Sequence, residues 1–201
     1  MTSEASPPDL TGRRVLVYVG GSVAAFKAAE VVTILRRRGA EVRVAMTPAA
    51  TRFLGPLTLQ SLSGHPVVID LFEAAEAGHG MEHLHLSEWA ELQLAVAASA
   101  NLIARISLGL ADDAVTATAL ACRAPLLVAP AMETAMWDHP ATRGHVETLR
   151  SRGVVMVGPG VGRLASGREG PGRMAEPEEI VAAVEMVLLG SGGTTPGVAG
   201  E

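Results

Sequence analysis

Apolar residues along the chain gather in short runs separated by longer segments with helical spacing. Arg14 to Val19 reads as a strand, and Ser22 to about Arg38 as an amphipathic helix that Gly39 stops before a second strand at Glu41 to Met46. Helical stretches follow at Pro48 to Leu54 and Thr58 to Ser63, then a short strand near Val67 and an irregular Gly- and Glu-containing segment to Glu82. Leu92 to Ala97 is the next strand, with a helix opening at Ser99. Leu126 to Ala129 leads through Pro130 into a helix ending near Arg152, and Val154 to Val157 forms the last strand. Strictly alternating strand and helix implies parallel pairing through right-handed crossovers. The expected fold is therefore α/β: a doubly wound, mostly parallel, Rossmann-like sheet of about six strands with helices on both faces.

Composition supports one domain of this kind. The chain has 201 residues, 48% hydrophobic and only 3% aromatic, which suits aliphatic strands buried on both faces. A formal net charge of -5 provides no basic field for phosphate backbones, so nucleic-acid binding is not expected. No apolar run reaches membrane-spanning length, and Met1 to Gly12 lacks the apolar core of a secretory signal. Cys122 is the only cysteine and falls in an apolar helical pattern, which leaves no intrachain disulfide and points to the cytoplasm. Residues 1–12 and 190–201 are expected to be flexible tails, the second rich in Gly, Ser, Thr and Pro.

Chemistry-bearing residues collect after strands, where open parallel sheets place their binding crevice. Gly20-Gly21-Ser22 follows the first strand and opens a helix. It reads either as a phosphate cradle at the positive end of the helix dipole or as a glycine turn with a serine cap. It is neither the spaced Gly-x-Gly-x-x-Gly of dinucleotide sites nor a Walker loop. Thr47 and Ser99 add hydroxyls at the same edge, and Ser99-Ala100-Asn101 offers small side chains beside which a flat ring can lie. A mononucleotide fits better than a dinucleotide. Pro130 to Trp137 places Met132, Met136 and a rare Trp where a buried strand gives way to a helix; such residues are core fillers or ligand contacts.

Together with His83, the order and spacing of these motifs resemble the flavin-dependent cysteine decarboxylases. That family includes phosphopantothenoylcysteine decarboxylase and the epidermin- and mersacidin-type peptidyl-cysteine decarboxylases. The likeness runs over residues 13–189. The family's Pro-Ala-Ser-Ala-Asn-Thr is matched by Ala97 to Leu102, with Ala for Pro and Leu for Thr, and its Pro-x-Met-Asn-x-x-Met-Trp by Pro130 to Trp137, with Glu133 for Asn. The resemblance implies FMN contacts at Gly20, Gly21, Ser22, Thr47, Phe53, Ser99, Ala100 and Asn101. It implies substrate contacts at Asn101, Met132, Glu133, Met136, Trp137, Ser166 and Arg173. It also implies trimers with FMN at their interfaces, assembling further into dodecamers.

His83 falls on the family's catalytic position, ahead of Trp89-Ala90, and an imidazole is the side chain suited to a base that takes the substrate thiol proton. His79 and His85 read as solvated or structural. His83 and His85 alternate as metal ligands do, but with no third ligand in view no metal is expected. The implied chemistry is oxidation of a cysteine thiol to a thioaldehyde, whose C=S accepts the electron pair released with carbon dioxide, leaving an enethiol.

Residues 158–174, rich in Gly and Arg, read as a mobile surface loop and resemble the family's substrate clamp, with Arg163, Arg168 and Arg173 as anion ligands or solvated surface groups. Coenzyme A enzymes often carry Ala-Cys-Gly there; this chain has Ala165-Ser166-Gly167. Because a hydroxyl is a far weaker acid than a thiol, and because no phosphopantothenate-cysteine ligase domain follows, the leading expectation is oxidative decarboxylation of a peptide's C-terminal cysteine to an aminoenethiol, in the making of a ribosomal modified peptide. Phosphopantothenoylcysteine is the alternative substrate, since Met46 to Phe53 and Gly170 to Met174 look closer to the coenzyme A enzyme. A non-catalytic FMN-binding regulatory subunit is a remoter reading.

Overall fold

A computed structural model describes residues 9–72 and 81–190. Six strands, β1 (Arg14–Val19), β2 (Glu41–Met46), β3 (Val67–Val68), β4 (Leu92–Ala98), β5 (Leu126–Pro130) and β6 (Val155–Met156), form one parallel sheet in the order β3-β2-β1-β4-β5-β6. The order runs outward from β1 in one direction and from β4 in the other. The switch point between them is where such a sheet opens a crevice beyond its strand ends.

Alternate residues of β1 explain the layering. Val15, Val17 and Val19 join the core built with α1 (Ala28–Arg37) and α8 (Pro177–Gly190), while Leu16 and Tyr18 enter the opposite core. That second core takes residues from α3 (Glu82–Trp89), α4 (Ala100–Leu108), α5 (Ala114–Ala121), α6 (Thr134–Trp137) and α7 (Pro140–Ser151). The remaining helix, α2 (Pro56–Ser63), contributes Leu59 to the first. Helix α1 buries Ala28, Val31, Val32 and Leu35 along one stripe, so its amphipathic spacing seats it on the sheet. In the second core the Tyr18 hydroxyl donates to Gln93 Oε1 at 2.9 Å, which satisfies a buried polar pair.

Several elements differ from the sequence expectation. The helix expected from Ser22 begins as a 3-10 turn, Val23–Lys27, and becomes α-helical only at Ala28. Only Ala50–Arg52, again 3-10, is helical between Pro48 and Leu54. The long helix after Pro130 is two, because Pro140 has no N–H to continue α6 and holds His139 extended, whose Nδ1 caps the Ala141 N–H at 3.2 Å. Cys122 lies just past α5, its half-buried thiol pushed up in pKa by burial and donating to the Ser87 carbonyl.

The apolar helical pattern before Cys122 forms a helix of its own, α5, opened by an Asp113–Thr116 capping box, while helix α8 had not been expected. Within residues 158–174 the chain forms an antiparallel hairpin, β7 (Gly160–Arg163) with β8 (Glu169–Arg173), in place of the expected irregular loop. Leu10, assigned to a flexible tail, is fully buried, its N–H bonded to the Arg38 carbonyl at 2.7 Å. Residues 1–8 and 191–201 of the expected tails, and His79, lie outside the described residues. No described helix is long and apolar enough to cross a membrane.

At the switch point the backbones of β1 and β4 almost touch. A Cβ on Gly20 would lie 2.4 Å from the Ala97 carbonyl oxygen, and Ala97 itself holds φ +53° where β4 bulges against β5. We expect Ala97→Gly to stabilise the fold by up to about 1 kcal/mol, since glycine adopts this region without strain. Gly20→Ala should destabilise by more, through a backbone contact that cannot relax. Denaturant midpoints of the two variants check both signs.

Candidate functional site

Beyond the ends of β1, β4 and β5 lies a cleft of about 650 Å³, lined by Gly21, Ser22, Ser99, Met132, Glu133 and Met136, with Arg163, Leu164 and Arg173 of the hairpin region on the facing wall. A smaller cleft of about 420 Å³ shares Gly21 and Ser99 with it and adds Thr47, Asn101 and Arg105. Gly21 and Ser99, at the ends of β1 and β4, thus border both clefts. Each strand end delivers its residue by a local device. Gly21 lies so close to Ala49 that a Cβ would sit 2.5 Å from the Ala49 methyl. Ser99 is the N-cap of α4, its hydroxyl accepting the Leu102 N–H at 3.3 Å, and Ala100 opens that helix. Thr47 ties β2 to β1 by donating to the Val19 carbonyl at 3.3 Å and accepting the Ala50 N–H at 3.2 Å.

Ser22 is different. Its hydroxyl oxygen is buried, has no partner among the described residues, and lies where a helical run opens after β1. An orphan buried hydroxyl is costly unless a ligand completes it. With Gly20 and Gly21 leaving the backbone bare and the positive end of the helix beside it, the turn fits an anionic group such as a flavin phosphate.

The rim carries charge that the sequence concealed. The Lys27 ammonium lines the large cleft and contacts Glu176 Oε2 at 2.8 Å; Arg173 contacts the other Glu176 oxygen. The Lys27 hydrogen bond, with its charge and that of Arg173, lowers the Glu176 pKa against a smaller burial penalty. Lys27 had not been selected from the sequence, because an ideal α-helix starting at Ser22 gives no reason to turn it toward the strand ends. In the smaller cleft Arg105 pairs with Asp112 and with Asp113 Oδ2, the latter at 2.7 Å. Neither acid had been assigned to the site.

The hairpin docks on α6 and on the segment that precedes it. The Met132 N–H donates to the Gly172 carbonyl at 2.9 Å, and the Thr134 hydroxyl to the Pro171 carbonyl at 2.7 Å. Gly172 has φ +134°, and a Cβ there would meet the Met132 oxygen at 2.2 Å, so only glycine permits this approach. At the hairpin tip the exposed Ser166 hydroxyl donates to Glu133 Oε2 at 3.0 Å.

Gly20, Ala100 and Ser166 flank residues that line the clefts without lining them, and three further expected site residues lie elsewhere. Trp137 is buried in the second core, with the Arg143 guanidinium 5.3 Å from its ring, and does not line the cleft. Phe53 is 51% exposed and lines neither cleft. His83, on α3, faces a separate groove of about 430 Å³ with Leu71, Phe72 and Leu120, its Nδ1 buried without a partner among the described residues. Within one chain, then, His83 and the Met132–Met136 segment line different surfaces. Also on α3, His85 Nδ1 lies 3.7 Å from Glu82.

Residues 3–189 match the family described as Flavoprotein. The chain belongs to this family. It is 47% identical over 173 residues to the coenzyme A biosynthesis bifunctional protein CoaBC of Escherichia coli (strain K12), covering 86% of this chain and 42% of that protein. The corresponding protein of Vibrio vulnificus (strain YJ016) is 45% identical over 177 residues, 88% of this chain and 44% of that one. The chain thus spans less than half the length of the curated relatives it matches. Among solved structures, a Cys-to-Ser mutant of PPC decarboxylase complexed with pantothenoylaminoethenethiol superposes with a TM-score of 0.79 at 34% identity, covering 88% of this chain and 98% of that one. These relatives bear out the expected decarboxylase and flavoprotein likeness. They favour the coenzyme A alternative over the peptide substrate that the sequence put first.

The depressed Glu176 pKa has a consequence for acid stability. Its ion pairs with Lys27 and Arg173 contribute above the ordinary carboxylate range and are lost as pH falls through the folded-state value. Glu176→Gln should therefore lose less stability than the unaltered protein between neutrality and pH ~3, as thermal melts at the two pH values will show.

Proposed function

We propose that the protein is an FMN-dependent decarboxylase whose substrate is phosphopantothenoylcysteine. The observation that carries this reading is the cleft itself: an orphan Ser22 hydroxyl at one strand end, apolar Met132 and Met136 at another, and the cations of Lys27, Arg163 and Arg173 around one opening. A flavin phosphate suits the first feature, and an anionic substrate suits a rim where the three cations outnumber the Glu133 and Glu176 carboxylates. The likeness to the CoaBC proteins and to PPC decarboxylase supports the choice of substrate.

FMN, when bound, would supply the hydride acceptor that oxidation of the cysteine side chain needs, and a product short of carbon dioxide alone would require that hydride to return to the enethiol. The protein does the rest. Gly20, Gly21 and Ser22 hold the phosphate, assisted by Thr47 from β2. Ser99, Ala100 and Asn101 line the ring with small and polar groups, and Met132 and Met136 make the apolar wall that keeps water from the reacting carbons. Trp137, buried in the second core next to Met136 in the chain, anchors that wall from beneath. Arg173, at the hairpin end, faces the substrate's anionic groups. His83 takes the thiol proton. Since it lies in a different groove from the rest of the site, it serves the cleft of a neighbouring copy, in line with the expected homotrimer and a dodecamer built from it. Exposed Phe72 and Leu120 beside His83 give that contact an apolar surface.

A second reading stands on Ser166. Where a thiol is expected this chain has a hydroxyl, and the decarboxylase solved with pantothenoylaminoethenethiol is itself a Cys-to-Ser mutant. A chain without the thiol would release the unsaturated enethiol, as the oxidative peptidyl-cysteine decarboxylases do.

Anaerobic mixing of the flavin-loaded protein with phosphopantothenoylcysteine, and separately with a short peptide ending in cysteine, separates these readings by product mass. Loss of carbon dioxide alone from phosphopantothenoylcysteine supports the first. Loss of carbon dioxide and two hydrogens, with bleached flavin, supports the second for whichever substrate shows it. His83→Asn should keep its yellow colour while turnover falls by about 10²-fold or more; full activity would remove His83 from the chemistry.

A further inference from the structure

Two of the positions at which the chain departs from the decarboxylase motifs, Glu133 for Asn and Ser166 for Cys, touch each other. Ser166 Oγ donates to Glu133 Oε2 at 3.0 Å across 33 residues of sequence. The carboxylate belongs to α6 on one wall of the large cleft, while Arg163, Leu164 and Ala165 of the hairpin line the other. The contact therefore bridges the opening.

Glu133 holds the N-cap position of α6 with extended backbone, φ -65° and ψ 149°, yet its side chain caps no N–H of that helix. A carboxylate at an N-cap ordinarily turns onto its own first turn; this one is held by the hairpin instead. Ser166 is presented by a tight turn closed by Leu164 N–H to the Arg168 carbonyl at 2.8 Å and Gly167 N–H to the Leu164 carbonyl at 2.9 Å. The Arg168 N–H also donates to Ser166 Oγ at 3.4 Å, which leaves the hydroxyl proton directed to Glu133. The base of the hairpin is pinned by the close Gly172 and Gly170 approaches, so the tip is the part that a single side-chain contact can hold.

An unrestrained carboxylate on this wall would repel a substrate carboxylate entering the same cleft. We propose that Ser166 is a positioning residue that parks the Glu133 carboxylate against the hairpin tip, so that the cleft admits a carboxylate substrate despite the acid at its mouth. The pair thereby determines specificity by charge: Ser166 matters only through the Glu133 carboxylate. This inference rests on the cysteine-decarboxylase reading given above.

The test is a double-mutant cycle on the flavin-loaded protein with phosphopantothenoylcysteine, together with hydrogen exchange of residues 163–169 measured without substrate. Ser166→Ala should raise KM about 5- to 10-fold with little change in kcat, since one charge-assisted hydrogen bond is lost and a charge released. Added salt should narrow the difference. Glu133→Gln should lower KM or leave it unchanged, and the double variant should match Glu133→Gln within about twofold, because no charge remains to be parked. Exchange at 163–169 should quicken in Ser166→Ala. A KM unchanged by Ser166→Ala, additive effects in the double variant, or unaltered exchange at the tip would each overturn the proposal. If the unaltered protein turns over no cysteine substrate, the decarboxylase reading fails, while the exchange measurement still decides whether Ser166 holds the tip.

Discussion

The closeness of β1 and β4 at the switch point is the constraint on which the site depends. Gly20 and the Ala97 carbonyl approach until no side chain fits between them, and Ala97 takes a left-handed backbone that makes this possible. Proline, with φ fixed near -65°, has no access to that conformation, so the Ala that stands where the decarboxylase motif has Pro is tied to the local path of β4. From this contact the Gly21–Ser22 turn and the Ser99 cap are both aimed beyond the sheet edge. A residue displaced at either strand end moves two walls of the cleft at once.

The sheet supplies rigidity for this strained junction. Both faces of β1 and β4 are buried, and the helices on each side seal them against water. Dense packing of this kind lets a backbone hold an unfavourable φ that an exposed loop would relax. The polar residues are then confined to the one edge where strands end. An alternating strand and helix order leads to that arrangement with little freedom, so fold and site location share one cause.

The sequence made the sheet readable because its strands are apolar runs with clear stops, and strand placement agrees to within a residue or two. The helices were harder. A 3-10 turn at Val23–Lys27 and an α-helix have similar apolar spacing over five residues, and that ambiguity hid Lys27 from the cleft. The β7–β8 hairpin escaped notice because its strands are mostly glycine, proline and charged residues with Val161 as their one β-branched side chain; its order comes from docking on the Met132–Thr134 segment, which is a tertiary effect. The contact between Ser166 and Glu133 likewise depends on that docking. Trp137 shows the converse: its motif drew attention to a ligand, while its side chain fills the core beneath.

The central claim is that the three strand ends form a flavin site completed by an anion at Ser22. Its most direct test is the affinity of the flavin-free protein for FMN against riboflavin, followed by quenching of flavin fluorescence. The account predicts that FMN binds at least about 100-fold more tightly, since the phosphate supplies the partner that the buried hydroxyl lacks, and that Ser22→Ala narrows the gap. Equal affinity for the two flavins would show that no phosphate is held there and would contradict the placement of the cofactor.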